Sequence, residues 1–166
     1  MNYAQIRRYD ISNGIGIRTS IFLSGCRFNC KNCFNIQYQN FCYGEEFTDE
    51  TLNTVLAYVS DDNVKGLSIL GGEPLMQDSN ELLKLVKTVK ENYPYKDIWL
   101  WTGHRFNEIP CKYEPVLKYV DVLIDGRFEE NKKDLTLKWR GSSNQRIIDV
   151  QKTIKFGNIV ERTDLY

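Results

Sequence analysis

Apolar positions along this chain recur with two periods. Four short apolar runs, over residues 20–23, 67–70, 98–101 and 120–124, are each followed by a glycine within two positions and predict buried strands. Between the first two, Leu52, Val55, Leu56 and Val59 repeat at helical spacing behind a capping Thr48, with Asp49 and Glu50 in the first turn. A second helix starts near Asp78 or Ser79 and buries Leu82, Leu83, Val86 and Val89. It stops before Pro94, which lacks a backbone donor and clashes with a continuing helix. A short helix over 114–119 leads into the fourth strand. Residues 135–156 read as loops with one or two strands around 146–150. No repeat, low-complexity tract or linker interrupts the pattern.

Alternating strands and helices predict an α/β domain with a mostly parallel sheet, and 166 residues predict one domain spanning 1–166. A complete eight-fold barrel takes roughly 250 residues, so the expected architecture is a partial, incomplete β/α barrel of about five or six units. Segments 26–33, 71–74, 102–103 and 125–127 all follow predicted strand ends, the face on which parallel-sheet sites are built. An incomplete barrel leaves a cleft open at one side, wide enough for a piece of another protein.

Composition narrows the classes. A hydrophobic fraction of 42% supports a real core, and 22 basic residues balance 22 acidic ones, which gives no reason to expect nucleic-acid binding. No apolar run is long enough to span a membrane, and residues 1–8 lack the apolar core of a signal peptide. The five cysteines are an odd set, three of them clustered, which predicts a reducing, cytoplasmic setting rather than a disulfide framework.

The clustered cysteines, Cys26, Cys30 and Cys33, carry the strongest chemical signal. Thiolates suit zinc and iron–sulfur clusters alike. Three ligands are too few for a closed structural zinc site, unless Cys42 serves as a fourth. Three are right for a four-iron cluster with one iron left open. Cys42 and Cys111 are otherwise expected to lie outside the ligand set. Gly71 and Gly72 at a strand end let backbone approach a ligand closely, and Glu73 adds an acceptor for an ammonium group, although a plain loop would read the same way. Residues 14–18 read equally as a turn into the first strand. Asp125 and Arg127 are either a solvated turn or a ligand clamp. His104, the only histidine, is assigned no role, and Trp99, Trp101 and Trp139 read as core and rim.

The spacing C-x3-C-x2-C directly after a first strand resembles the signature of the radical S-adenosylmethionine (SAM) superfamily. Asp10–Arg18 upstream, Gly71-Gly72-Glu73-Pro74, and Trp139-Arg140-Gly141-Ser142-Ser143-Asn144-Gln145-Arg146 together resemble the activating enzymes of anaerobic (class III) ribonucleotide reductases. That resemblance runs from about Asp10 to Val150. It implies a radical SAM fold and a 4Fe–4S cluster on Cys26, Cys30 and Cys33, with SAM chelating the open iron. It further implies SAM contacts from Gly71, Gly72, Glu73, Thr102, Asp125 and Arg127. The implied activity is an oxidoreductase that cleaves SAM reductively and leaves a glycyl radical on the reductase. The electron would come from a flavodoxin- or ferredoxin-type donor. Two rivals stay open, an activase of a different glycyl-radical enzyme and a non-catalytic zinc-binding interaction module. The superfamily usually has an aromatic residue before the third cysteine, where this chain has Asn32, with Phe34 one position later than Cys33.

Overall fold

The computed structural model describes residues 1–166 as one seven-stranded mixed sheet with four helices. In chain order the elements are β1 (Asn2–Asp10), β2 (Ile17–Ser24), β3 (Glu45–Glu46), α1 (Asp49–Val59), β4 (Val64–Gly71), α2 (Ser79–Asn92), β5 (Asp97–Trp101), α3 (Glu114–Leu117), β6 (Val122–Asp125), β7 (Arg146–Asp149) and α4 (Val150–Phe156). The sheet order is β3-β1-β2-β4-β5-β6-β7. The four central strands β2, β4, β5 and β6 run parallel, while β1, β3 and β7 are antiparallel to their neighbours.

Strand alternation divides the buried residues between two faces. Ile21 and Leu23, Leu67 and Ile69, Ile98 and Leu100, and Leu123 and Ile148 join a 22-residue core with the apolar stripes of the helices. The opposite face carries Trp99, Val122, Ile124 and Ile147, with Trp101 and Trp139 packed on them. Helices therefore cover one face of the central strands, and loops cover the other.

The two long helices begin where their caps require. The Thr48 hydroxyl accepts from Thr51 N at 3.3 Å while the Thr51 side chain accepts from Thr48 N at 3.2 Å. Asp78 accepts from Asn80 N and Glu81 N at 2.9 and 3.1 Å, and α2 ends at Asn92, before Pro94. No helix is long and apolar enough to cross a membrane.

Several expectations are corrected. The N-terminal strand β1, half-exposed along most of its length, has no clean alternation to announce it. Leu85, not Leu83, completes the buried stripe of α2, and Leu83 and Leu56 are only partly buried. The fourth parallel strand starts at Val122, because Val120 closes a turn onto Leu117 O and Asp121 turns its carboxylate to Ile98 N at 2.7 Å. Helix α4, capped by Asp149 and stopped by Gly157 at φ +71°, stands where loops were expected. Because β7 turns antiparallel onto β6, the parallel repeat stops after three crossovers instead of the five or six units expected.

Arg18 explains Gly14, the first of the two glycines that precede β2. Its fully buried guanidinium donates to Ser68 Oγ at 2.6 Å, Asp97 Oδ1 at 2.7 Å and Leu67 O at 2.9 Å, and lies 5.2 Å from the Trp99 ring. A Cβ on Gly14, at φ +117°, would stand 2.7 Å from the Arg18 side chain. Residues 14–18 are thus a turn wrapped around a buried cation. Asp97→Asn removes the countercharge and should destabilise the protein by about 2–3 kcal/mol, below the usual cost of an orphaned buried charge because Asp97 is 30% exposed. Urea unfolding measures this, and a loss under about 0.5 kcal/mol would show that the backbone carbonyls suffice to hold Arg18.

Candidate functional site

A cavity of about 650 Å³ lies at the C-terminal ends of the parallel strands, on the face without helices. Cys26, Cys30 and Cys33 all line it and are half-buried, whereas Cys42 and Cys111 are exposed and lie outside its lining. Gly25 N donates to Tyr38 O at 2.7 Å and Cys26 N to Gln39 O at 3.0 Å, which closes the base of the cysteine loop. Within the loop, Phe28 N–H points at Cys26 Sγ (3.5 Å) and Asn35 N–H at Cys33 Sγ (3.4 Å). Donors of this kind stabilise thiolates and tune bound clusters. Burial pushes the Cys26 thiol up to about 11, and burial followed by the neighbouring Cys33 raises Cys30 against the opposing pull of Arg127.

Asn32 has a backbone explanation. It adopts φ +54°, and Asn29 φ +49°, left-handed conformations that asparagine tolerates better than bulky residues do. The two tight bends turn the three cysteines toward one cavity. No three His, Cys, Asp or Glu side chains stand close enough together to share a single metal ion.

The segment Gly71-Gly72-Glu73 is stitched to the cysteine loop. Gly72 N donates to Leu23 O at 2.7 Å and Glu73 N to Gly25 O at 2.8 Å. A Cβ on Gly72 would meet Gly25 O and Tyr38 O, both at 2.7 Å, and Gly71 sits at φ +111°. The glycines thus admit the chain's own backbone. Glu73 is buried, and its Oε1 accepts from Leu75 N at 2.9 Å and Thr102 Oγ1 at 2.7 Å, while Oε2 accepts only from Gly103 N at 2.7 Å. Burial raises Glu73 to about 7 against the pull of these three donors.

Asp125 and Arg127 part company. Arg127 lines the cavity with its guanidinium 4.4 Å from the Phe28 ring. Asp125 is fully buried outside the lining and accepts from Arg146 Nε at 2.9 Å and Nη2 at 2.5 Å and from Phe106 N at 2.9 Å, with Arg105 at 3.5 Å. The direct clamp expected of Asp125 is replaced by an anchor for Arg146.

That anchor accounts for residues 140–146. Gln145 Oε1 accepts from Gly141 N at 2.8 Å and Ser142 N at 3.2 Å, and its Nε2 donates to Gly126 O at 2.9 Å. Asn144 Nδ2 donates to Arg127 O at 2.8 Å, and Glu129 N donates to Ser142 Oγ at 3.1 Å. The segment binds a flap, residues 133–142, onto the loop that carries Arg127.

Trp99 is core, and Trp101 and Trp139 are cavity rim; Trp101 Nε1 donates to Trp139 O at 2.7 Å. His104 packs edge-on against Phe28 at 4.9 Å and is outside the lining. Sequence reasoning missed Phe28 and Asn35, which line the cavity, and Asn35 Nδ2 donates to Gly71 O at 3.0 Å. Their places between and just after the cysteines were the available signal.

Residues 12–148 match the family model described as a 4Fe-4S single cluster domain. The chain is 43% identical over 148 residues to the anaerobic ribonucleoside-triphosphate reductase-activating protein of Enterobacteria phage T4, which covers 89% of this chain and 93% of that protein. It is 41% identical over 150 residues to the protein of the same name from Vibrio cholerae (89% and 97%) and 39% over 148 residues to that from Escherichia coli K12 (87% and 96%). The chain belongs to the family of anaerobic ribonucleoside-triphosphate reductase-activating proteins.

Two outcomes follow from this geometry. Gly72→Ala should cost the metal-free protein about 1–3 kcal/mol, since its Cβ meets backbone that cannot turn aside; unchanged thermal unfolding would refute the stitching. Glu73 in the fold lies above its ordinary value of 4.5, so its contribution to stability is greatest below about 4.5 and is lost as pH rises through about 7. Between pH about 5 and 7, wild-type stability should therefore fall more steeply than that of Glu73→Gln. Parallel pH profiles in urea would count against a perturbed Glu73.

Proposed function

We propose that this protein activates an anaerobic ribonucleoside-triphosphate reductase by radical SAM chemistry, acting as an oxidoreductase. The carrying observation is that Cys26, Cys30 and Cys33 share one cavity with Gly71–Glu73, Gly103 and Arg127. The fit to a 4Fe–4S cluster rests on the donor set. Three thiols line one cavity and receive two N–H···S contacts, while Cys42 and Cys111 are exposed and lie outside the lining. When bound, the cluster would supply the electron that splits SAM and so lead to a hydrogen atom's removal from a glycine of the reductase.

The chain's own residues divide the remaining work. Glu73 Oε2 accepts a single hydrogen bond and keeps a lone pair for the SAM ammonium group. Thr102 and the N–H of Gly103 hold that carboxylate in place. Arg127 offers a guanidinium for the SAM carboxylate. Asp125 acts at one remove, through Arg146 and Gln145, to fix the loop on which Arg127 stands. The flap keeps bulk water off the cavity. We read the sheet and helices as an incomplete barrel of radical SAM type, one domain over 1–166, working in the reducing cytoplasm with a flavodoxin- or ferredoxin-type donor.

Anaerobic reconstitution tests the reading. Alanine at Cys26, Cys30 or Cys33 should abolish iron loading and SAM cleavage, while Cys42→Ala and Cys111→Ala should keep both. Wild-type protein with reductant, SAM and reductase should yield a glycyl radical by electron paramagnetic resonance. Loss of iron in Cys42→Ala would restore a four-ligand site, and SAM cleavage without a glycyl signal would remove the reductase as substrate.

A further inference from the structure

Charge in this neutral chain is not spread evenly. Residues 45–62 hold six acidic residues and no basic one, whereas residues 126–146 hold six basic against three acidic. The second segment is the flap and its clamp, which cover the cavity. Around that opening, Lys31, Arg127, Lys133, Lys138 and Arg140 have no carboxylate within salt-bridge distance. Other cations of the flap side are spent internally, Lys132 on Glu129 and Arg146 on Asp125. The flap's one carboxylate, Asp134, is held by Thr136 N at 2.8 Å and Thr136 Oγ1 at 2.6 Å.

Apolar groups stand among these cations. Leu135 at the flap tip is 81% exposed and Phe34 is 59% exposed, the latter 5.0 Å from Phe128 with the Lys133 ammonium 5.1 Å from its ring. The flap itself is fixed, by the Lys133–Ser142 bridge and by Ser143 N donating to Lys132 O at 2.9 Å. A rigid loop that displays a bare leucine between unpaired lysines has the make-up of a docking surface: an apolar centre within a charged rim.

We propose that this rim is where the reductase docks, through an acidic segment with an apolar anchor that seats beside Leu135 and Phe34. The proposal rests on the reading of the chain as a reductase activase and adds the place and the chemistry of the contact. Unpaired cations around an opening steer an acidic partner toward it. The seated segment would also cover the side of the cavity that the flap leaves open.

Two measurements test it. Affinity of unmodified, cluster-loaded protein for the reductase should fall about tenfold or more as salt rises from low ionic strength to about 0.3 M. The double variant Lys133→Glu, Lys138→Glu should lose about tenfold in affinity and form the glycyl radical more slowly. Its SAM cleavage driven by dithionite without reductase should stay at the wild-type level, because neither lysine lines the cavity. Salt-independent binding by the unmodified protein, or wild-type reductase affinity in the double variant, would overturn the proposal. So would a variant that binds reductase normally yet is reduced slowly by an acidic electron-transfer protein, since the rim would then belong to the donor. Absence of dithionite-driven SAM cleavage in the wild type would be a different failure, that of the activase chemistry itself.

Discussion

Everything around the cavity depends on one buried carboxylate. Glu73 sits where three strand ends meet. Its backbone N–H reaches Gly25 at the end of β2, its own segment leaves β4, and its side chain accepts from Thr102 and Gly103 at the end of β5. Removing a carboxylate from water is costly, and burial raises this one to about 7. Three donors offset much of that cost, Leu75 N from the carboxylate's own turn and Thr102 Oγ1 and Gly103 N from the end of β5. The cysteine loop is thereby referenced to the sheet through Gly25 rather than left to its own bends. Three thiols that line one cavity keep a defined arrangement only if their loop has such a fixed origin.

Asp125 plays the corresponding part on the other side of the cavity. It too is buried at a strand end, and its partners are charged, Arg146 in a two-point grip and Arg105 more distantly. The consequence differs. Glu73 fixes the floor under the cysteines, while Asp125 fixes the return of the flap and, through Gln145 and Asn144, the backbone on either side of Arg127. Trp139 adopts φ +59° within that flap, a conformation unfavourable for a bulky residue, and persists because Trp101 Nε1 holds its carbonyl and Trp99 packs edge-on at 5.3 Å.

The parts of the fold that were readable in the sequence are those in which a single local rule decides. The strands β2, β4 and β5 are apolar runs ending at glycine, and α1 and α2 have both caps and stripes. What escaped was set by distant partners. Strand β1 is half-exposed, and its strand character comes from pairing with β2. Val120 left the fourth strand because Asp121 bonds across to Ile98. Helix α4 is seven residues long with a weak stripe, and its cap Asp149 reads locally as the end of a strand. At the site the same division holds. The cysteine spacing announced that three thiols gather on one cavity, and the glycine pair announced a close approach. That the approaching group is the chain's own backbone, and that Asp125 faces Arg146 instead of the cavity, are facts of tertiary contact that no spacing encodes.

The two-sided sheet joins these observations to function. With α1, α2 and α3 all packed on one face, the other face of the parallel strands has no helix to shield it. Its inner positions are Phe22, Leu70 and Trp101, which line the cavity, and Arg18 with Trp99, which fill the end away from it. A buried arginine is an expensive way to fill space, but the Asp97 carboxylate offsets its charge and Leu67 O and Asp97 O accept from its N–H groups. The cavity is what remains between that plug and the flap. Its volume and its exposure to one side are consequences of where the helices are.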